Sequence, residues 1–427
     1  MNAPETLADW LAYIERQHPQ SIAMGLERVS VVRDALALRP AFPLITVGGT
    51  NGKGSVCMML DAMLGHARYN VGTYTSPHLL RYNERVRIAG REAADGDLVR
   101  AFAAVESARA ACDVPLTYFE FGTLAALWLF REHRVDAAIL EVGLGGRLDA
   151  VNAFDADVAV LTSIAVDHVE YLGDNREAIG FEKAHIFRSG RPAICADPEP
   201  PASVAETAAR IGARLLLIGR DFSHTAQAQQ WDYRGPGGAR RGLPLPALRG
   251  EFQLANASAC IAALDLLRER LPVSAADIRD GLVSVENPGR FQVLPGRPAV
   301  ILDVAHNPHA AAALALNLVR MTGYQRTLAV FSMLKDKDVA GVVRALRGHV
   351  DHWLVAPLDG TRAMTPAALA QCLREADAGA EISMHENIAA AMADAYQRAG
   401  DGDRILAFGS FLTVTAAMHA MRSRRVQ

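Results

Sequence analysis

The segment Gly48–Ser55, GGTNGKGS, constrains this chain more than any other. It follows the apolar run FPLITVG (42–48) and precedes SVCMMLDAMLGHA, whose apolar residues recur at helical spacing. Strand, glycine-rich turn and helix are the setting of a phosphate loop. Glycines let successive N–H groups turn inward, and the start of a helix adds positive potential to that nest. Lys53 is placed to reach the outer phosphates of a nucleotide and Ser55 to approach its metal. Gly54 stands between lysine and hydroxyl, a departure from the common GxxxxGKS/T spacing. The loop implies nucleotide binding.

Further apolar runs follow: DAAILEV (136–142), DVAVLTS (157–163), PAVILDV (298–304), TLAVFSM (327–333) and RILAFGS (404–410). They alternate with alanine-rich stretches of helical period such as Gly122–Arg131 and Ala310–Arg320. Continuous apolar strands between helices predict an α/β fold whose largely parallel sheet is covered on both faces. The pattern fails over residues 220–249, a polar stretch rich in Gly, Pro and Arg that reads as a hairpin or loops. It breaks again at ENPGRFQVLPGRP (286–298), after which a fresh strand–helix series begins. A chain of 427 residues exceeds one ordinary core. We place two domains at 1–296 and 297–427.

Composition narrows the function classes. A net charge of −3 gives no electrostatic case for a nucleic-acid or anionic-membrane partner. The longest apolar run, Phe121–Phe130, is about half the length that spans a bilayer. The acidic, amphipathic N-terminus is unlike a secretory signal. Five scattered cysteines (57, 112, 195, 260, 372) form no CxxC pair, which fits reduced thiols in a cytoplasmic protein. The sequon at Asn256–Ser258 is then a chance match.

Chemistry-bearing residues fall at strand ends, where open parallel sheets bind ligands. Glu141 ends one run, and a carboxylate there suits a magnesium ion shared with phosphate. It could equally cap the next helix or pair with Arg147. Asp167 and His168 follow the next run, and Asp303 and His306 repeat the arrangement in the second half. Ile179, Lys183 and Phe187 share one helix face. Lys183 is therefore either a snorkelling lysine or an amine made nucleophilic by its apolar surroundings.

Taken together, these segments resemble the folylpolyglutamate synthase family, related to the Mur ligases, and especially its bifunctional bacterial dihydrofolate synthase/folylpolyglutamate synthases. The match runs in order through IAMGLERV (22–29), GTNGKGS (49–55), TSPHLLRYNERV (75–86), FEFGTLAA (119–126), LEVGLGGRLDAVN (140–152), DHVEYLG (167–173), EKAHIF (182–187), GEFQLANA (250–257), NPGRFQ (287–292), DVAHNP (303–308), LKDKD (334–338) and FGSFLTV (408–414). It departs at His185, where the family usually has glycine, at Leu412, where His or Tyr is frequent, and at Val151, where Thr is common.

The resemblance implies a P-loop ATPase domain of Mur-ligase type followed by a smaller Rossmann-like domain. It implies that Asn51, Gly52, Lys53, Gly54 and Ser55 hold ATP, with Asn256, Arg290, Asp303 and His306 as further nucleotide contacts. Ser76, Glu141 and His168 look like the Mg²⁺ ligands, while Lys53, Lys183 and His168 match catalytic positions. Lys183 matches a lysine that is carbamylated in the family, a change from cation to carboxylate-like anion. Met24, Gly25 and Leu26, then Thr117, Tyr118, Phe119 and Glu120, then Leu148, Asp149 and Ala150 match segments that contact the pterin-bearing substrate. The implied reaction adds L-glutamate to dihydropteroate and to reduced folates, by a monomeric enzyme. A monofunctional folylpolyglutamate synthase and a Mur-type ligase are the nearer alternatives. A nucleotide-driven switch protein is the remote one, because it leaves DVAHNP and NPGRF without a task.

Overall fold

The structure is a computed structural model that describes residues 4–426 except Ser21 and Glu251. Glu251, part of the GEFQLANA segment, thus lies outside the described residues. The chain divides into two compact units: one of residues 1–247 with 254–285, the other of 248–253 with 286–427.

The first unit is built on eight strands: β1 (Leu44–Gly48), β2 (Val71–Tyr74), β3 (Val86–Ile88), β4 (Arg91–Glu92), β5 (Ala137–Glu141), β6 (Val158–Leu161), β7 (Pro192–Cys195) and β8 (Arg214–Leu217). Their order is β4-β3-β2-β5-β1-β6-β7-β8, with β2, β5, β1, β6, β7 and β8 mutually parallel and β3 and β4 antiparallel at one edge. All five residues of β1 and of β5 are buried, which is why those runs are apolar without alternation. Because β1 lies between β5 and β6, the loops leaving these three strands emerge side by side. That neighbourhood positions the site.

Residues 220–249, expected as a hairpin or loops, form a separate antiparallel sheet of β9 (Ser223–Ala226), β10 (Gln230–Gly235) and β11 (Gly238–Pro244). The polar composition fits strands that keep one face in water. Trp231 and Tyr233 of β10 and Leu243 of β11 are the buried exceptions. The helices Gln253–Leu266 and Ala275–Ser284 then return to the first unit. The second packs on the phosphate-loop helix so closely that a Cβ on Gly281 would lie 2.7 Å from Met63 Cα. Asn256 and Ser258 of the sequon are buried in the first of them.

The second unit holds β12 (Gln292–Leu294), β13 (Ala299–Asp303), β14 (Thr327–Phe331), β15 (His352–Val355), β16 (Glu381–Met384) and β17 (Arg404–Phe408). The order is β12-β13-β17-β14-β15-β16, parallel except for β12. Residue 296, where the sequence suggests the division, falls between β12 and β13. Pairing of β12 with β13 ties residues 286–296 to the second sheet. The helix Pro308–Arg320 opens with Asn307 capping Ala310 N–H and proline in its first turn, a strong start signal.

All five cysteines carry free thiols. No helix among the described residues is long and apolar enough to cross a membrane.

Candidate active site

The phosphate loop is shaped before any ligand arrives. Gly49 has φ +139°, and a Cβ there would fall 1.9 Å from Thr162 Oγ1, so no side chain fits. Gly52, at φ +91°, is the N-cap of the helix Lys53–His66 and gives it no side-chain cap. The first N–H groups of a helix have no partners within it, and this end is built to give them to an anion. Two hydroxyls at the end of β6 clamp the loop from beside. Thr162 Oγ1 donates to Asn51 O at 2.6 Å, and Ser163 Oγ accepts from Asn51 N–H at 3.1 Å. Thr50 adds a further tie to the same segment through Ala165, donating to its carbonyl and accepting from its N–H, each at 3.0 Å. No motif marks Thr162 and Ser163 in the sequence, where the signal is only that two hydroxyl residues end the run that pairs with β1.

Lys53 Nζ donates to Gly49 O at 3.1 Å and Thr50 O at 3.2 Å, so the ammonium already hangs over its own loop. Asn256 reaches the same place, since a Cβ on Gly52 would meet its Oδ1 at 2.9 Å.

Glu141 is buried at the end of β5, in register with Val47 of β1. Its Oε2 accepts from Ser76 N–H at 2.9 Å, which draws the loop after β2 against the carboxylate. The alternative partner, Arg147, is taken instead by Glu182 at 3.0 Å. Ser76 and Glu141 are thus brought together beside the phosphate loop. His168 lies exposed on the loop after β6, with φ +53° at the start of the short helix Val169–Leu172. Among the described residues no group of three or more His, Cys, Asp or Glu side chains gathers as a metal site. The expected set is a hydroxyl, a carboxylate and an imidazole, of which the structure joins Ser76 to Glu141. Few protein donors, oxygens foremost, beside a phosphate cradle match how magnesium binds jointly to protein and nucleotide.

Lys183 does not snorkel. It is 4% exposed on the helix Arg176–Ala184, and its Nζ donates to Gly49 O at 3.0 Å. Burial, then the Lys53 charge, pulls its pKa down to about 7, while Asp167 and Asp149 oppose the shift. The helix ends at Ala184, so Phe187 joins the buried stripe from beyond the helix. His185 fits where glycine is usual: its Nδ1 meets Phe181 O at 2.7 Å and Arg210 Nη2 lies 3.2 Å from Nε2. Val151 is buried and Leu412 is 48% exposed.

The three segments expected to contact the substrate lie together in the first unit. Gly25 N–H donates to Leu148 O at 3.3 Å, joining the first to the third. Thr117 and Glu120 form a reciprocal cap on the helix Tyr118–Glu132. Phe119 stands 5.8 Å from the ring of Tyr74, and Tyr118 5.8 Å from that of Tyr82. Asp149 accepts N–H bonds from Leu144 at 2.8 Å and Val151 at 3.0 Å, yet burial raises its pKa to about 6. With that pKa the carboxyl is mostly ionised at neutral pH and serves chiefly as a hydrogen-bond acceptor.

In the second unit Asp303 ends β13 and accepts from Phe291 N–H at 2.8 Å and Ala305 N–H at 2.7 Å. Burial raises its pKa, and the Arg290 and His306 charges act against the rise. Arg290 lies over the Phe411 ring at 4.6 Å. These three residues form one group.

A phosphate loop on a parallel sheet, a strand-end carboxylate and a second α/β unit define an ATP-dependent ligase of the Mur class. The family model of the Mur ligase middle domain matches residues 47–264, and that of the Mur ligase glutamate ligase domain matches 289–411. The chain is 46% identical over 99% of its length to the dihydrofolate synthase/folylpolyglutamate synthase of Escherichia coli (strain K12), covering 97% of that protein. Its structure superposes on that of E. coli FolC in complex with DHPP and ADP, with TM-score 0.94, 45% identity and full coverage of both chains. The bifunctional enzyme of Yersinia pestis complexed with AMPPNP and Mn gives TM-score 0.91 at 44% identity, over 99% of this chain and all of that one. The chain belongs to the dihydrofolate synthase/folylpolyglutamate synthase family.

Proposed function

We propose that this chain uses ATP and Mg²⁺ to join L-glutamate to dihydropteroate, forming dihydrofolate, and to the γ-carboxylate of reduced folates. The observation that carries it is the Ser76–Glu141 pair set, by the pairing of Glu141 with Val47, beside the strand that leads into the loop bearing Lys53. The names of its relatives support the same activity.

A carboxylate and an amine do not condense unaided in water. One substrate carboxylate oxygen attacks the γ-phosphorus of ATP, ADP leaves, and an acyl phosphate results. The glutamate nitrogen then forms the C–N bond, phosphate departs, and the amine proton is lost. Lys53 and the loop N–H groups neutralise the charge that gathers on the phosphoryl oxygens. Ser76, Glu141 and His168 would hold the magnesium, which supplies charge neutralisation across the phosphates when bound. The segments around Gly25, Phe119 and Asp149 hold the acceptor, and alignment alone can supply about 7–11 kcal/mol of the barrier. A monomer in the cytoplasm completes the proposal, and sedimentation of the purified chain checks the first of these.

The test supplies purified protein with ATP, Mg²⁺ and glutamate and offers dihydropteroate and tetrahydrofolate separately. Both should gain one glutamate mass; turnover of tetrahydrofolate alone would favour the monofunctional alternative. ATP hydrolysis indifferent to glutamate and to either acceptor would defeat the proposal.

Lys183 adds a pH dependence. With its pKa near 7 the amine is largely neutral at pH 8 and protonated at pH 6. Its lone pair can then attack carbon dioxide, forming an N–C bond and releasing a proton to give the carbamate. Protein prepared free of carbon dioxide should gain activity on adding bicarbonate at pH 8 but not at pH 6. Equal response at both pH values would remove the carbamate role. The depressed pKa also means that the unfolded chain holds a proton the native one lacks between about 7 and 10.5. This residue's contribution to stability therefore rises with pH across that window.

A further inference from the structure

Arg28 is absent from every role assigned above, yet it stands where two substrate segments meet. It occupies the first turn of the helix Glu27–Ala35, immediately after the Met24–Leu26 segment. Its Nη2 donates to Ala23 O at 2.7 Å and lies 2.9 Å from Glu120 Oε1, and its Nε lies 3.4 Å from Oε2. Glu120 is 3% exposed, and its Oε2 also accepts from Thr117 N–H at 2.7 Å, closing the cap on the helix that carries Tyr118 and Phe119. One planar guanidinium thus grips a backbone carbonyl beside the first segment and the buried carboxylate that fixes the second. The third segment is tied to the first through Gly25 and Leu148.

We infer that Arg28 is a positioning residue whose fork sets the spacing between the Met24–Leu26 and Thr117–Glu120 segments, and so the fit of the pterin-bearing substrate. The inference rests on the substrate reading proposed above. Its physical basis is the rigidity of the fork: five donors in a fixed plane can hold a carbonyl and a carboxylate in one set geometry, whereas a lysine's three donors rotate about a single nitrogen and fix no such plane. Its partners, Ala23 O and the Glu120 carboxylate, lie in or beside the acceptor segments, so Arg28 is expected to bear on the acceptor and not on the nucleotide.

The experiment compares the full chain with Arg28→Ala, Arg28→Lys and the double variant Arg28→Ala/Glu120→Gln, reading KM and kcat for dihydropteroate, KM for ATP, and the thermal midpoint. Arg28→Ala should raise KM for dihydropteroate about tenfold or more, the scale of one lost charge-assisted contact, with KM for ATP within about twofold. It should also lower the midpoint, because Glu120 is left buried and unpaired. Adding Glu120→Gln should recover the midpoint without recovering KM, and Arg28→Lys should fall between wild type and alanine in KM. An unchanged KM in Arg28→Ala overturns the inference. So does recovery of KM together with the midpoint in the double variant, which would make the residue merely structural. Wild-type protein that turns over neither acceptor would instead defeat the functional reading on which this one rests.

Discussion

Replacing Lys53 by alanine lowers glutamate-dependent release of ADP and phosphate by about a hundred- to a thousandfold, the scale seen when one donor to a developing negative charge is removed. The side chain bonds to two carbonyls of its own loop, Gly49 O and Thr50 O. Its loss therefore removes charge from the cradle and leaves the clamps from Thr162 and Ser163 in place. Thermal stability should change little while activity falls. Coupled measurement of ADP release checks the first point and a melting curve the second. Near-wild-type turnover would end the assignment of Lys53 to phosphoryl transfer. A second consequence follows from the same charge: with Lys53 gone, Lys183 loses the cation that helps hold its pKa down, and its pKa should move up.

Glu141→Gln is the sharper test of the metal site. Glutamine keeps the shape and can still accept from Ser76 N–H, so the loop after β2 should stay in place. What disappears is the negative charge beside the phosphates. We expect kcat to fall about a hundredfold and the magnesium concentration needed for half-maximal rate to rise, since charge on the ligand oxygens governs affinity for a hard cation. Glu141→Ala should be worse, because it also frees Ser76. A magnesium titration of the three proteins decides. Unaltered metal dependence in the glutamine variant would place the ion elsewhere.

What the sequence disclosed follows the distance over which each feature is determined. The phosphate loop is local: glycines, lysine and helix start are contiguous, so its role is legible from residues alone. The apolar strands β1, β5, β6, β13, β14 and β17 are legible because burial on both faces removes polar residues from them. Strand β15, His352–Val355, though buried throughout, is only four residues long and opens on a histidine, and β16, Glu381–Met384, escapes because four residues of mixed polarity carry no period. The edge strand β12 escaped for the same reason, and with it the attachment of residues 286–296 to the second sheet. The Ser76–Glu141 contact spans 65 positions and could be reached only through the family resemblance. Lys183 reads first as a snorkelling lysine from residues alone, because an apolar helix face says that a stem is buried but not where its amine points, and only the family resemblance turns that reading round. Arg28 escaped altogether: an arginine in the first turn of a helix looks solvated until a buried carboxylate 92 positions away is seen to face it.

The first unit is interrupted in sequence, and this bears on the order in which it can be made. Residues 248–253 belong to the second unit, yet the helices that complete the first come after them. One of those, Ala275–Ser284, lies against the helix that begins at the phosphate loop, and Asn256 from the other stands beside Gly52. A nascent chain that has emerged only to residue 250 therefore has its central sheet but not the cover of that helix, nor the asparagine beside the loop. Domains usually mature on the ribosome as they appear, N-terminal first. Here maturation of the nucleotide site waits for some thirty residues synthesised after the chain has already begun its other unit.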